Sequence, residues 1–145
     1  MRFDFKNIHI GECIKTRAEE LEISVSRICK FHKITEEEMY EMFDTKSLDT
    51  ETLLRWCKLL EYDFFRIYAQ HLILFAPGNG SSFNLPENGK PSLPEFRKNV
   101  YTRQVVDFIL ELIKTGEKTK LQILEEYRIP KTTLYKWISK YDETQ

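Results

Sequence analysis

The sequence predicts an all-α protein made of two small helical modules joined by a linker rich in proline and glycine. Apolar residues recur at spacings of three and four along most of the 145 residues, which is the period of an α-helix. Sustained period-two alternation, typical of a strand, is missing apart from Phe3 and Phe5 at the start. Four of the five prolines and three of the five glycines fall within residues 77–94, which divides the chain.

The composition suits a globular chain, with 41% hydrophobic and 31% charged residues and a net charge of −1. The densest apolar stretch, 63–75, is interrupted by Arg66, Gln70 and His71, so we expect no membrane span. The first ten residues lack the apolar core of a signal peptide. Three cysteines cannot all pair within the chain. We therefore expect a cytoplasmic protein in a reducing compartment.

The charges are unevenly distributed between the two ends of the chain. Residues 1–78 carry 11 basic and 14 acidic side chains, and residues 95–145 carry 10 basic and 8 acidic ones. The near-zero net charge is therefore the sum of a −3 segment and a +2 segment on either side of a neutral middle segment. Only the C-terminal segment has the sign that suits a polyanionic partner.

The N-terminal module, 1–77, is predicted to hold five short helices. The first runs from Ile8 to Leu21, with its apolar residues at spacings of three and four. Side chains of N-capping type precede the others. The predicted starts are Ser24 for the second helix, Thr35 with Glu38 as a capping box for the third, Asp49 or Thr50 for the fourth, and Asp63 for the fifth, Phe64 to Phe75.

Residues 78–95 are predicted to be an exposed linker. Their prolines and glycines leave almost no helix-forming run. A stretch of this length without secondary structure is unusual inside one compact domain. We therefore place the module boundaries on either side of it.

The C-terminal module, 96–145, is predicted to form three helices. Thr102 caps the first helix and Gly116 ends it, and Thr119 opens the second. A short turn, Arg128 to Pro130, leads into the third helix. Its inward-facing residues are predicted to be Leu134, Trp137, Ile138 and Tyr141.

The last two helices have the pattern of a DNA-binding helix-turn-helix. An apolar turn residue, Ile129, would lock them together, and the third helix would offer a basic and polar outer side. Between Arg128 and Lys140 lie four cations and no acid. The candidate DNA-binding residues are Arg128, Lys131, Thr132, Thr133, Tyr135, Lys136 and Lys140. The alternative is a plain three-helix bundle whose last helix is a solvated basic face.

This segment resembles the helix-turn-helix of insertion-sequence transposase accessory proteins, over about a third of the chain. The matching positions are Phe96, Arg97, Tyr101, Val105-Val106, Gly116, and the block Ile129-x-x-Thr132-Thr133-Leu134-Tyr135-x-Trp137-Ile138. The resemblance implies a last helix that binds the end of a transposon. The chain has no predicted strands on which to build the nuclease of a transposase itself.

The N-terminal half resembles the Cro/CI repressor-like (XRE) domain, in the segments IGECIKTRAEELEIS, VSRICKFHKITEEEMYEMF and LDTETLLRWCKLLEYD. The resemblance implies that the third helix reads DNA. In this chain, however, that helix carries Glu36, Glu37, Glu38 and Glu41. Because carboxylates repel a polyanion, we expect the module to contact a protein, with direct DNA contact as the alternative.

The fifth helix is predicted to supply a surface for a homodimer, because its apolar residues cover more than one face. The candidate dimerisation residues are Phe64, Phe65, Tyr68, Leu72 and Phe75. The alternative is that the linker or the second module covers this apolar surplus.

Enzymatic functions are disfavoured, and we expect no catalytic residue, metal or cofactor. Cys29 and His32 have a metal-like spacing, but no second pair accompanies them. Phosphate-loop, zinc-protease and nucleophile motifs are missing. The sequence therefore predicts sequence-specific binding of double-stranded DNA by a transcriptional regulator. The alternatives are an accessory protein of a transposase and a protein-interaction adaptor that never binds DNA.

Overall fold

The structure, a computed structural model, describes residues 3–76, 86–87, 89–94, 96 and 100–142. Every regular element in these residues is an α-helix, which confirms the all-α prediction. The helices are α1 (Ile10–Glu20), α2 (Val25–His32), α3 (Glu36–Asp44), α4 (Thr50–Leu60), α5 (Phe65–Phe75), α6 (Arg103–Lys114), α7 (Lys120–Glu126) and α8 (Lys131–Asp142). The proposed linker lies largely outside the described residues, as does Arg97.

Side-chain caps set the starts of the first four helices. The Ser24, Thr35 and Asp49 side chains accept backbone N–H bonds at 3.2, 3.2 and 2.7 Å. The Glu38 carboxylate completes the predicted capping box by accepting from the Thr35 N–H at 2.9 Å. These three starts are confirmed. The cap of α1, the His9 ring nitrogen Nδ1, was not predicted and accepts an N–H at 3.1 Å.

Residues Asp4–Ala69 form one compact unit, here called the N-terminal unit. The start of α1 is bonded to the loop after α3, where the Ile10 N–H donates to the Lys46 carbonyl oxygen at 3.0 Å. The Gly11 N–H makes the same kind of bond to the Thr45 carbonyl oxygen, also at 3.0 Å. The largest of its fully buried side chains are Ile10, Ile14, Met39, Trp56, Leu60 and Phe64. The predicted cap of α5 is confirmed, since Asp63 accepts from the Phe65 N–H at 3.1 Å.

The described residues from Gln70 onward, together with Phe3, form a second compact unit, here called the C-terminal unit. The boundary between the units therefore falls inside α5. The Gln70 side chain explains why the end of α5 belongs with this unit. Its amide donates to the Val100 carbonyl oxygen at 2.7 Å, and its side-chain oxygen accepts from the Thr102 N–H at 3.0 Å. This two-bond clamp fixes the backbone that leads into α6.

Replacing Gln70 by Leu is expected to destabilise the C-terminal unit by about 1–3 kcal/mol, because both hydrogen bonds are lost at a residue only 3% exposed. The measurement is urea unfolding followed by the fluorescence of Trp137, in a background where Trp56 is replaced by Phe. Gln104→Leu makes the same chemical change at an exposed site of α6 and is the matched control. Equal midpoints for the two variants would contradict the clamp.

The predicted caps of α6 and α7 are also confirmed. The Thr102 side chain accepts an N–H in the first turn of α6 at 3.3 Å. Thr119 and Gln122 form a reciprocal capping box at the start of α7, with bonds of 3.2 and 2.8 Å. Gly116 follows α6 with φ +77°, a left-handed conformation that glycine adopts without strain. In the described part of the chain, no helix combines the length and apolar character needed to cross a bilayer.

Candidate nucleic-acid interface

The turn between α7 and α8 sets the direction of α8. Arg128 has φ +53°, a left-handed conformation, within the short turn between Glu126 and Lys131. The next residue, Ile129, is buried in the C-terminal unit. The Pro130 carbonyl oxygen accepts the Leu134 N–H at 3.0 Å, which begins the hydrogen bonding of α8. The proline occupies a position that requires no N–H donor.

One side of α8 is buried and holds the helix in place. Leu134 is fully buried and Trp137 nearly so, as predicted, while Ile138 and Tyr141 are half-buried. The Trp137 ring meets the Tyr101 ring edge to face, with centroids 5.0 Å apart. Large apolar side chains thus fix the rotation of α8 about its axis.

The opposite side of α8 is exposed and carries most of the candidate DNA-binding residues. All seven belong to the turn or to α8, and six of them are exposed: Arg128, Lys131, Thr132, Tyr135, Lys136 and Lys140. The seventh, Thr133, is half-buried beside the core side. No carboxylate lies among them in the sequence between residues 128 and 140. The structure therefore brings these residues onto one surface of positive charge, here called the α8 face.

Two tyrosines order the cations at this surface. The Lys131 Nζ lies 5.7 Å from the centroid of the Tyr135 ring, within the range of a cation–π contact. The Lys140 Nζ lies 5.3 Å from the Tyr141 ring, which also receives the Arg103 guanidinium at 4.0 Å. Such contacts restrict long side chains without neutralising their charge.

Sequence reasoning missed one cation of this surface, Lys120 at the start of α7. Its Nζ lies 5.4 Å from the Tyr135 ring centroid. Nearby Lys118 is different, because it is ion-paired with Glu126, and this hydrogen bond raises the pKa of the Lys118 ammonium. A lysine just after the Thr119 cap was visible in the sequence, but its proximity to α8 depends on how the two helices pack.

The acidic residues of α3 give the N-terminal unit the opposite character. Glu36, Glu37, Glu38 and Glu41 are all exposed. Glu38 is also engaged in the capping box. Since α3 has no basic residue of its own, its surface repels phosphates.

The proposed dimerisation residues differ in exposure. Phe64 is only 1% exposed and packs in the core, so its side chain is not available to a partner, contrary to the sequence-based list. Its ring lies 4.7 Å from that of Tyr62. Phe65 and Tyr68 are half-buried, whereas Leu72 is 58% exposed and Phe75 is exposed. The exposed apolar residues of α5 are thus those of its last two turns.

His32, considered above with Cys29 as a metal-like pair, is a core residue. It is 6% exposed, and its ring lies 4.2 Å from that of Trp56. Its Nε2 and the Trp56 Nε1 are buried without a hydrogen-bond partner. In the part of the chain that the structure describes, no three His, Cys, Asp or Glu residues are grouped so as to hold a metal ion. Burial, and secondarily the positive charge of Arg55, lowers the pKa of His32.

The N-terminal unit is therefore expected to lose stability as the pH falls below about 6.5, the ordinary pKa of histidine. The unfolded chain binds a proton at His32 more readily than the folded chain does, so stability is complete above that pH and declines below it. Unfolding midpoints between about pH 7 and pH 5 measure the effect. His32→Phe keeps an aromatic ring without the titrating group and should flatten the dependence; an unchanged slope would contradict this assignment.

Comparison with known proteins leaves this surface without a precedent. No family model, curated protein or solved structure matches the chain. A function for the α8 face must therefore be argued from its own geometry and charge.

Proposed function

We propose that the protein binds double-stranded DNA in a sequence-specific manner through the α8 face and acts as a transcriptional regulator. The observation that carries this proposal is the exposure of three lysines on α8 and of Arg128 in the turn before it, with no acid between residues 128 and 140. The other side of α8 is anchored by Leu134 and Trp137. In this proposal α7 and α8 form a helix-turn-helix, with α8 as the recognition helix.

The mechanism follows from the dimensions of duplex DNA. The major groove, about 12 Å wide, admits an α-helix, and its base edges offer both donors and acceptors. Thr132, in the first turn of α8, is assigned to a base edge, where a threonine methyl contacts thymine. Phosphates, which give affinity without sequence information, are assigned to the four cations, Arg128, Lys131, Lys136 and Lys140.

The N-terminal unit is assigned to protein contact in this proposal. The reason is that the exposed carboxylates of α3 disfavour a phosphate backbone. The exposed Leu72 and Phe75, in the part of α5 that belongs to the C-terminal unit, favour a homodimer. A dimer would pair two recognition helices and bind two half-sites about one helical turn apart. The implied location is the nucleoid in the cytoplasm.

The same acidic α3 surface favours a second candidate, a protein-interaction adaptor that never contacts DNA. The two candidates differ in whether the protein selects a particular duplex from a random pool of DNA: a regulator does, and an adaptor does not. An accessory role in transposition belongs with the first candidate, because it too requires that α8 bind a specific duplex.

The experiment is selection of bound duplexes from a random pool by the full-length protein, followed by competition between the selected duplex and a shuffled duplex of equal composition. We expect one enriched motif, and an affinity for it at least about 1000-fold above that for the shuffled duplex. An inverted repeat in the motif would support the dimer. A pool that stays random, or equal competition by the two duplexes, would contradict sequence-specific binding.

A further inference from the structure

The exposed ring of Tyr135 is close to lysines from two different helices. The Lys120 Nζ of α7 is 5.4 Å from the ring centroid, and the Lys131 Nζ of α8 is 5.7 Å from it. Both distances fall within the range of about 6 Å over which an ammonium is attracted to an aromatic ring. The ring itself is 43% exposed, so this arrangement lies at the surface of the C-terminal unit.

Neither lysine is neutralised within the described residues. Other cations of the same unit have acidic partners, as Lys118 has Glu126 and Arg103 has Asp107. Lys120 and Lys131 form no such ion pair there, and both are exposed. Two like charges are thus held near one ring with their full charge facing solvent, where an anion from outside would be attracted to both.

The aromatic ring restricts the conformational freedom of the lysine side chains before DNA is bound. A free lysine side chain loses up to about 2 kcal/mol of rotamer entropy when it is fixed on a ligand. A lysine already resting on a ring has lost part of that freedom before binding. The attraction comes from the ring face, so the phenolic hydroxyl of Tyr135 is not required for it.

We propose that Tyr135 is a positioning residue that holds Lys120 and Lys131 close to its ring for two phosphates of one DNA strand. The DNA-binding surface then extends from α8 to the start of α7, and the ligand groups are phosphodiester oxygens. Tyr135 itself contacts no base in this arrangement, because Lys120 and Lys131 occupy the space around its ring. The bases of an intact duplex are stacked on one another and are therefore not available to stack on the ring. This inference rests on the proposed function of the α8 face.

The test is the salt dependence of duplex binding by full-length variants. Lys120→Gln is expected to reduce the slope of log Kobs against log salt by about 0.9, the contribution of one phosphate contact. Tyr135→Phe keeps the ring and is expected to bind like the wild type. Tyr135→Leu removes the ring and is expected to weaken binding by about two- to fivefold for each lysine that it positions.

A double-mutant cycle separates positioning from a local structural effect. In the Tyr135→Leu background, Lys120→Gln should cost less affinity than it does in the wild type, because the lysine is no longer held in place. Lys15→Gln makes the same charge change on exposed α1 of the N-terminal unit and is expected to leave the slope unchanged. Unchanged circular dichroism confirms that each variant is folded.

The outcomes distinguish this inference from the proposal on which it rests. If Lys136→Ala weakens binding while Lys120→Gln and Tyr135→Leu do not, the positioning role is overturned and the α8 face stands. If Tyr135→Phe loses as much affinity as Tyr135→Leu, the hydroxyl makes the contact and the positioning role is again overturned. If the wild type binds no duplex even at low salt, both proposals fall.

Discussion

The Gly11→Ala variant is expected to lose about 3 kcal/mol of the free energy of unfolding of the N-terminal unit, although alanine is the better helix former. A Cβ at this position would lie 2.4 Å from the Phe43 carbonyl oxygen and 2.5 Å from that of Met42. These are backbone atoms at the end of α3, which cannot move aside as a side chain can. The start of α1 must therefore shift, and the Gly11 N–H bond to Thr45 is lost with it.

The measurement is thermal or urea unfolding followed by Trp56 fluorescence, in a background where Trp137 is replaced by Phe. Gly116→Ala is the instructive control, because a Cβ there meets nothing within 4 Å and only the φ of +77° opposes it. We expect that variant to lose about 1–2 kcal/mol, from the C-terminal unit instead. A Gly11→Ala protein as stable as the wild type would show that α1 and α3 are not packed backbone to backbone.

The double variant Lys131→Ala/Lys136→Ala is expected to lose about 100-fold in affinity for its selected duplex, or about tenfold for each charged hydrogen bond. Both lysines are exposed on the α8 face, so their removal should leave the fold intact. If both contact phosphates, the log–log salt slope should fall by about 1.8. If Lys131 contacts a base edge instead, the salt slope should fall by only about 0.9. The preference for the selected duplex over a duplex with a mutated base pair should then weaken.

Binding is measured by gel shift at about 50 mM and about 200 mM salt, a range over which phosphate contacts change affinity strongly. The matched control is Lys15→Ala/Lys30→Ala, which removes two exposed lysines from helices of the N-terminal unit. It has the same net charge as the test variant. Equal binding by the two double variants would mean that any effect arises from total charge and not from α8.

Local signals explain why much of the fold was predictable from the sequence. Ser24, Thr35 and Thr102 are N-caps whose hydrogen bonds involve residues three positions away, so their effect is encoded within one turn. The same holds for the apolar spacing that buries Leu134 and Trp137. The exposed residues of α8 could then be predicted too, because they are the ones that lie on the opposite side of the helix from Leu134 and Trp137.

Long-range contacts could not be predicted in the same way. Gln70 looked like a polar interruption of an apolar helix, yet it clamps the backbone at Val100 and Thr102. Phe64 was expected at a surface, but it lies just before α5 and is buried in the core. Lys120 and Tyr135 lie on different helices, so their proximity depends on the turn that joins α7 to α8. For Gln70 and for the pair of Lys120 and Tyr135, the partner residues are far apart in sequence, where periodicity and capping rules carry no information.

The most direct test of the proposed function is a titration of the isotope-labelled full-length protein with its selected duplex, followed by the chemical shifts of the backbone amides. Binding through the α8 face predicts that the largest changes occur at residues 128–140 and at Lys120. It also predicts that the amides of α3, 36–44, remain unchanged. Changes concentrated in α3, or none at all at saturating duplex, would contradict DNA binding through α8.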